Sequence, residues 1–230
     1  MAESPVESER MEVLRKACSA LKVFPLYGVV VLPGTPTPLH VFEPRYRALV
    51  RDALRGDRIV AVPQLLGAEG LRELHPPLRP IAGAGYIEHH VEHEDGRFDI
   101  VLRGLSRVRL GEELSSEAAY RTFRAEVAPD RFPPGGRAKL QAEMESLRQL
   151  VLELSTRLPP ESGAPALAEA VAQLRDPSAA VDLVAAAAVS EPDARQAVLE
   201  ELDVARRIER VVSEVAAVVL LLARGKNAQA

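Results

Sequence analysis

Several residue types are scarce in this chain, and each scarcity excludes something. Cys18 is the only cysteine among 230 residues, so no internal disulfide can form, and the chain suits a reducing compartment. Lysine occurs only at positions 16, 22, 139 and 226, which leaves little material for a Ser–Lys catalytic dyad. The longest apolar run, residues 215–223, is far short of the roughly 18–20 residues that a membrane span needs. Residues 1–10 are acidic and lack the apolar stretch of a secretory signal, so a cytoplasmic protein is expected. No phosphate-cradling G-x-x-x-x-G-K-[S/T] loop is present, and Gly225-Lys226 lacks the strand and helix that would make one. No nucleotide, metal or other cofactor is therefore expected. A net charge of −4 gives no basic excess for nucleic acid or an anionic membrane.

Aromatic residues are few and unevenly spread. All four tyrosines and four of the five phenylalanines fall between residues 24 and 123; Phe132 is the last ring in the chain. The first half thus carries bulky rings to fill a β-rich core, and the second half is built from Ala, Leu and Val, which suits close-packed helices. The pattern divides the chain into a polar tail and short helix (residues 1–20), a β domain (21–131), a Pro/Gly linker (132–137) and a helical bundle (138–225).

The first domain is organised around residues 22–50. Two short apolar runs, 23–26 and 29–32, have strand length. Pro33, Gly34, Pro36 and Pro38 then indicate a turn or an irregular edge. Glu43-Pro44 opens a helix, because proline at the first helical position sacrifices no hydrogen bond. Strands are expected over residues 58–66, 81–90, 98–102, 107–110 and 120–128, with a loop over 67–80 and a hairpin at Asp95-Gly96. Gly104 to Ser106 read as a break. Strands joined by short turns, with one helix inserted early, suggest a small open barrel in an α+β chain. The second domain reads as four or five helices. The first runs near 140–154, others start at Asp176-Pro177 and around Pro192, and the last carries a stripe of Ile208, Val211, Val215, Val218, Val219 and Leu222.

Three blocks carry a family resemblance. FPL, VVxxPG and PLHVFEPRY (within residues 24–46) form the first. Gly85-Tyr86-Ile87, Asp95-Gly96-Arg97 and Leu102-Arg103-Gly104-Leu105-Ser106-Arg107-Val108 form the second. Residues 199–207, LEELDVARR, form the third. Together they resemble the N-terminal substrate-binding domain of the Lon proteases. The resemblance implies a PUA-like mixed β-barrel followed by a helical bundle. It implies a non-catalytic module that binds unfolded or degron-bearing polypeptides, an adaptor or regulator working with a protease or chaperone. Its motif positions Pro38, Leu39, Glu43, Arg45, Tyr46, Gly104 and Arg107 are expected to be structural. The chain has no match to the ATPase or protease modules, so no enzymatic activity is expected.

Binding residues are less legible. Arg47, Arg51 and Arg55 form a four-residue-spaced basic stripe on the helix after Pro44, with Glu43 placed to offset Arg47. They are either a solvated face whose stems cover apolar surface, or a capture site for acidic groups or phosphates. PUA-like barrels include RNA binders, which makes RNA binding the alternative function. Fourteen Lys/Arg against fifteen Asp/Glu over residues 20–130 argue against it. His89, His90 and His93 resemble metal ligands, but on a strand His89 and His93 would sit about 13 Å apart, so a polar hairpin end is expected instead.

Overall fold

Helix α1 (Pro5–Ala17) takes in much of the stretch expected as a polar tail, in a computed structural model that describes residues 5–67 and 76–227. The acidic stretch is therefore helical from Pro5 onward, not a loose tail. Tertiary contacts explain this: Leu14 is fully buried among Leu21, Ile59, Ala82 and Val108, and Arg10 pairs with Glu88 at 3.3 Å while lying over the Tyr86 ring. Most of the loop expected over 67–80 lies outside the described residues.

Six strands follow: β1 (Leu21–Val23), β2 (Pro36–Val41), β3 (Ile59–Val62), β4 (Ile81–Glu92), β5 (Phe98–Leu114) and β6 (Arg121–Val127). Helix α2 (Pro44–Arg55) sits between β2 and β3 in the chain, with Glu43 as its N-cap residue. The sheet order is β2-β5-β4-β3-β1-β6, and β6 pairs again with β5. Strands β5, β4, β3, β1 and β6 thus close a ring, where an open barrel was expected. Only β1 and β3 run parallel, so the barrel is mixed.

Closure depends on the length of β5. Its first part pairs with β2 from Phe98 to Arg103, and its last part pairs with β6 from Val108 to Leu114. The expected break at residues 104–106 does not occur. β5 runs through this stretch, and the ladder with β4 absorbs it as a register shift beside Gly85. Closing a sheet removes strand edges that would otherwise recruit other chains.

The run 29–32, expected as a strand, belongs to no ladder. Val30, Val31 and Leu32 are nonetheless buried. Two glycines make room for them. A Cβ on Gly83 would overlap the Val31 carbonyl oxygen, and one on Gly104 would overlap that of Leu32. Gly104 donates its N–H to Thr35 O at 3.0 Å and accepts from Gly34 N–H at 2.9 Å. It thus permits close approach of a second backbone instead of the expected bend.

Two apolar clusters fill the barrel unit. Tyr46, Leu49, Val50 and Ala53 of α2 pack on Ile87, Phe98, Ile100 and Leu102. The second cluster gathers Leu14, Leu21, Ile59, Ala84 and Phe123.

The chain divides into two compact units between Pro129 and Asp130. The second unit is helical: α3 (Gln141–Arg157), α4 (Ala164–Gln173), α5 (Pro177–Ala188), α6 (Pro192–Glu200) and α7 (Val204–Asn227). Asp176 caps α5 by accepting the Ser178 N–H at 3.1 Å, with Pro177 in the first helical position. Leu147, Val151 and Leu154 of α3 are buried, as are Ile208, Val211, Val215 and Val219 of α7. An ion pair, Arg207 with Asp182, is also fully buried here. Arg207 donates from Nη1 to Asp182 at 3.2 Å and Ser178 Oγ at 3.1 Å, from Nε to Glu201 O at 2.9 Å, and from Nη2 to Asp130. Arginine suits such a site because its planar fork serves several acceptors at once.

Candidate polypeptide-binding surface

The start of α2 brings together the EPRY residues. Glu43 is extended, at φ −63° and ψ 134°, so its side chain is not on the helical face that carries Arg47. It pairs with Arg45 at 2.9 Å, where a pairing with Arg47 was expected. Arg45 also lies 4.5 Å over the Tyr46 ring, and its Nε donates to Glu43 at 2.9 Å. Tyr46 is buried, 4.3 Å from Phe24, and burial pushes its phenol pKa up.

Beside Arg45 and Tyr46 opens a cleft of about 670 Å³, bounded on the far side by the β5–β6 connection. Its walls include Pro25, Tyr46, Ala119 and Tyr120, and its rim includes Glu113 and Arg121. Tyr120 donates its hydroxyl to Asp52 of α2 at 3.0 Å; burial and then this carboxylate push its pKa up to about 12. Arg121 makes a two-pronged pair with Glu113, at 2.8 and 2.7 Å, and reaches Pro76 O at 2.8 Å. Ring and proline faces thus lie beside matched charges. Such a cleft can seat apolar side chains while polar groups at its rim meet a peptide backbone. The sequence marks residues 115–119 only as a connection, and nothing local to them predicts that they lie beside Arg45.

The arginine stripe is not uniform. Arg51 pairs with Glu92 at 2.8 Å, reaches Gly96 O at 3.4 Å and lies 5.3 Å over Phe98. Arg55 is largely exposed and 3.9 Å from Asp52. Among the described residues Arg47 has no carboxylate partner, and its Nε is buried with no hydrogen-bond acceptor.

On the opposite face of β2, β5 and β4, Asp99 lies between two histidines, 2.6 Å from His40 Nδ1 and 2.7 Å from His93 Nε2. These hydrogen bonds hold its carboxyl below the usual range. The partner of His93 in this cluster is thus His40, 53 positions away, while His89 and His90 are exposed. Among the described residues no group of three His, Cys, Asp or Glu is placed to hold a metal ion.

The other motif positions are distributed through the same sheet. Leu39 is buried and Pro38 exposed on β2, the end strand of the sheet; Arg107 is buried within β5. Pro36 and Pro38 lie two residues apart and carry no N–H. Residues with this spacing on an antiparallel strand direct their backbone groups to one side, so the free edge of β2 lacks two donors that an added strand would need.

Arg103 bonds Glu88 at 2.9 Å and Gly34 O at 3.2 Å. Desolvation acts to raise the Glu88 pKa, but the bonds and charges of Arg103 and Arg10 outweigh it, and the net shift is downward from 4.5. A lowered folded pKa contributes stability that is complete above the unfolded value and is lost as pH falls through the folded one. Glu88→Gln is therefore expected to flatten the fall in melting temperature below about pH 4.5. A parallel acid limb in variant and parent would contradict this.

Residues 20–217 match the family model described as the ATP-dependent protease La (LON) substrate-binding domain. The chain belongs to the LON substrate-binding domain family. Relatives include the Lon protease of Desulfosudis oleivorans, 23% identical over 200 residues, and Lon protease 2 of Myxococcus xanthus, 28% identical over 195. These alignments cover 86% and 84% of this chain but only 24% and 23% of the relatives, so the chain spans about a quarter of the curated Lon proteases it matches. Two solved structures share the LON domain fold. The N-terminal domain of Mycobacterium avium complex Lon protease superposes with a TM-score of 0.70 at 19% identity, covering 86% of this chain and 98% of that one. A Lon N-terminal domain protein from Xanthomonas campestris does so with 0.58 at 22%, covering 84% and 97%. The matched family segment is the substrate-binding one. Among the described residues no helix is long and apolar enough to cross a membrane.

Proposed function

We propose that this chain is a non-catalytic polypeptide-binding protein, in which the cleft between the α2 start and the β5–β6 connection receives extended segments of unfolded clients. The observation that carries the reading is the cleft itself: about 670 Å³, open to solvent, with Pro25, Tyr46 and Tyr120 beside charges already paired to one another. Family membership supports it. The prolines of β2 favour side-chain capture in the cleft over strand addition. In this role the chain acts in protein quality control, as an adaptor or regulator for a protease or chaperone in the cytoplasm, with no bond-breaking of its own.

Fluorescence anisotropy with labelled, reduced and carboxymethylated α-lactalbumin tests the reading. Saturable binding with Kd on the order of micromolar is expected, as for a small transient interface, with none to the native protein. Tyr120→Ala is expected to weaken it several-fold, and casein incubated with the protein should remain intact with or without ATP. Equal binding of native and unfolded forms, salt-sensitive binding of single-stranded RNA in place of polypeptide, or turnover of casein would overturn the reading.

A further inference from the structure

The β4–β5 hairpin turn brings two cations to one point. Gly96 occupies the left-handed region at φ +78°, where the turn requires glycine. A Cβ at Gly96 would collide with Arg47 Nη2 and would lie 2.9 Å from Arg51 Nη2. Both guanidinium tips therefore converge on the same glycine from successive turns of α2. Like charges held together repel, and an anion between them would offset that repulsion.

Only one of the two is neutralised. Arg51 has Glu92 and the Gly96 carbonyl. Among the described residues Arg47 has no ion-pair or hydrogen-bond partner for its side chain, and its Nε is buried without an acceptor. A buried donor left unmatched is a cost that an accepting anion would remove. Elsewhere in the same unit Arg45 pairs with Glu43, Arg97 with Asp95 and Arg121 with Glu113. Arg55, the third member of the stripe, has Asp52 and does not reach the turn.

We infer that Arg47 and Arg51, over the Gly96 turn, form an anion-binding point that takes a carboxylate of a bound polypeptide, an acidic side chain in an extended client. This deepens the polypeptide-binding reading and rests on it. Charge complementarity selects the occupant. The unit as a whole has no basic excess to hold a polyanion, whereas one unmatched arginine and a half-matched neighbour suit a single carboxylate accepting two parallel N–H bonds.

The test uses the full chain and two labelled, C-terminally amidated decapeptides of leucine and serine, one bearing glutamates and the other glutamines at the same positions. The glutamate peptide is expected to bind about tenfold more tightly at low ionic strength, close to the low end of what one charge-assisted hydrogen bond contributes. Arg47→Gln should abolish the difference without affecting the glutamine peptide, and Arg47→Lys should restore part of it. Arg47→Gln should also leave the melting temperature unchanged or raise it, because an unmatched buried donor is removed; a purely structural arginine would show the reverse. Equal affinity for the two peptides would overturn the anion point and leave the polypeptide reading standing. Failure of both peptides and of unfolded α-lactalbumin to bind would remove that reading and the anion point with it. Arg47-dependent binding of oligouridine, with no preference for the acidic peptide, would overturn the proposal in favour of a phosphate site.

Discussion

Alanine at Gly104 is expected to destabilise the barrel unit by about 3 kcal/mol, at the upper end of what overpacking costs. The added methyl would overlap the Leu32 carbonyl oxygen and approach Pro33 Cα at 3.2 Å. Backbone cannot swing aside as a side-chain tip does. Relief requires moving residues 32–35, and Gly104 is hydrogen-bonded to that same segment through both N–H and C=O. Two buried residues, Val31 and Leu32, would move with it. All four tyrosines precede Pro129, so tyrosine fluorescence in a urea titration reports on this unit. A midpoint lowered with the slope unchanged is expected; an unchanged midpoint would contradict the close approach. Gly83→Ala should behave alike, through Val31.

Removing Arg207 is expected to cost about 3–5 kcal/mol in the helical unit, the usual penalty for breaking one side of a buried ion pair. Asp182 is fully buried and would lose the guanidinium beside it, while Ser178 and Glu201 O would lose a donor. Arg207→Ala should therefore shift the 222 nm ellipticity transition, which this helix-rich unit dominates, far more than the tyrosine signal. Arg207→Lys should recover only part of the loss, since an ammonium cannot span the separate acceptors. Arg207→Met combined with Asp182→Leu should recover most of it, because apolar replacement of a whole buried pair is often neutral. A single Arg207→Ala with wild-type stability would show that the network is incidental.

Local signals in the sequence led to the correct elements wherever the chemistry was local. Glu43-Pro44 starts α2, Asp95-Gly96 turns the hairpin, and Asp176-Pro177 caps α5. Rings before residue 124 mark the β-rich unit, and the PLHVFEPRY and LxGxxR blocks point to the family. Legibility ended where distant segments meet. Residues 29–32 have strand composition, but they are buried against two glycines and join no ladder. Gly104 looked like a break because its partner, Leu32, is 72 positions earlier. Ring closure depends on one 17-residue strand whose two ends pair with different neighbours, which period-two alternation does not encode. Residues 5–10 are polar, and tertiary contacts of α1 decide their conformation. The arginine stripe was visible as a spacing, but only the hairpin turn distinguishes Arg47, which lacks a carboxylate, from Arg51 and Arg55, which have one. The cleft combines residues 25, 45–46 and 113–121, so no single stretch announces it.

Backbone hydrogen–deuterium exchange of the full chain, alone and saturated with carboxymethylated α-lactalbumin, tests the account most directly. Slowed exchange is expected in residues 113–121 and at the start of α2, with the helical unit unchanged. Protection absent from both segments, or confined to residues beyond 130, would contradict a client-binding cleft on the barrel.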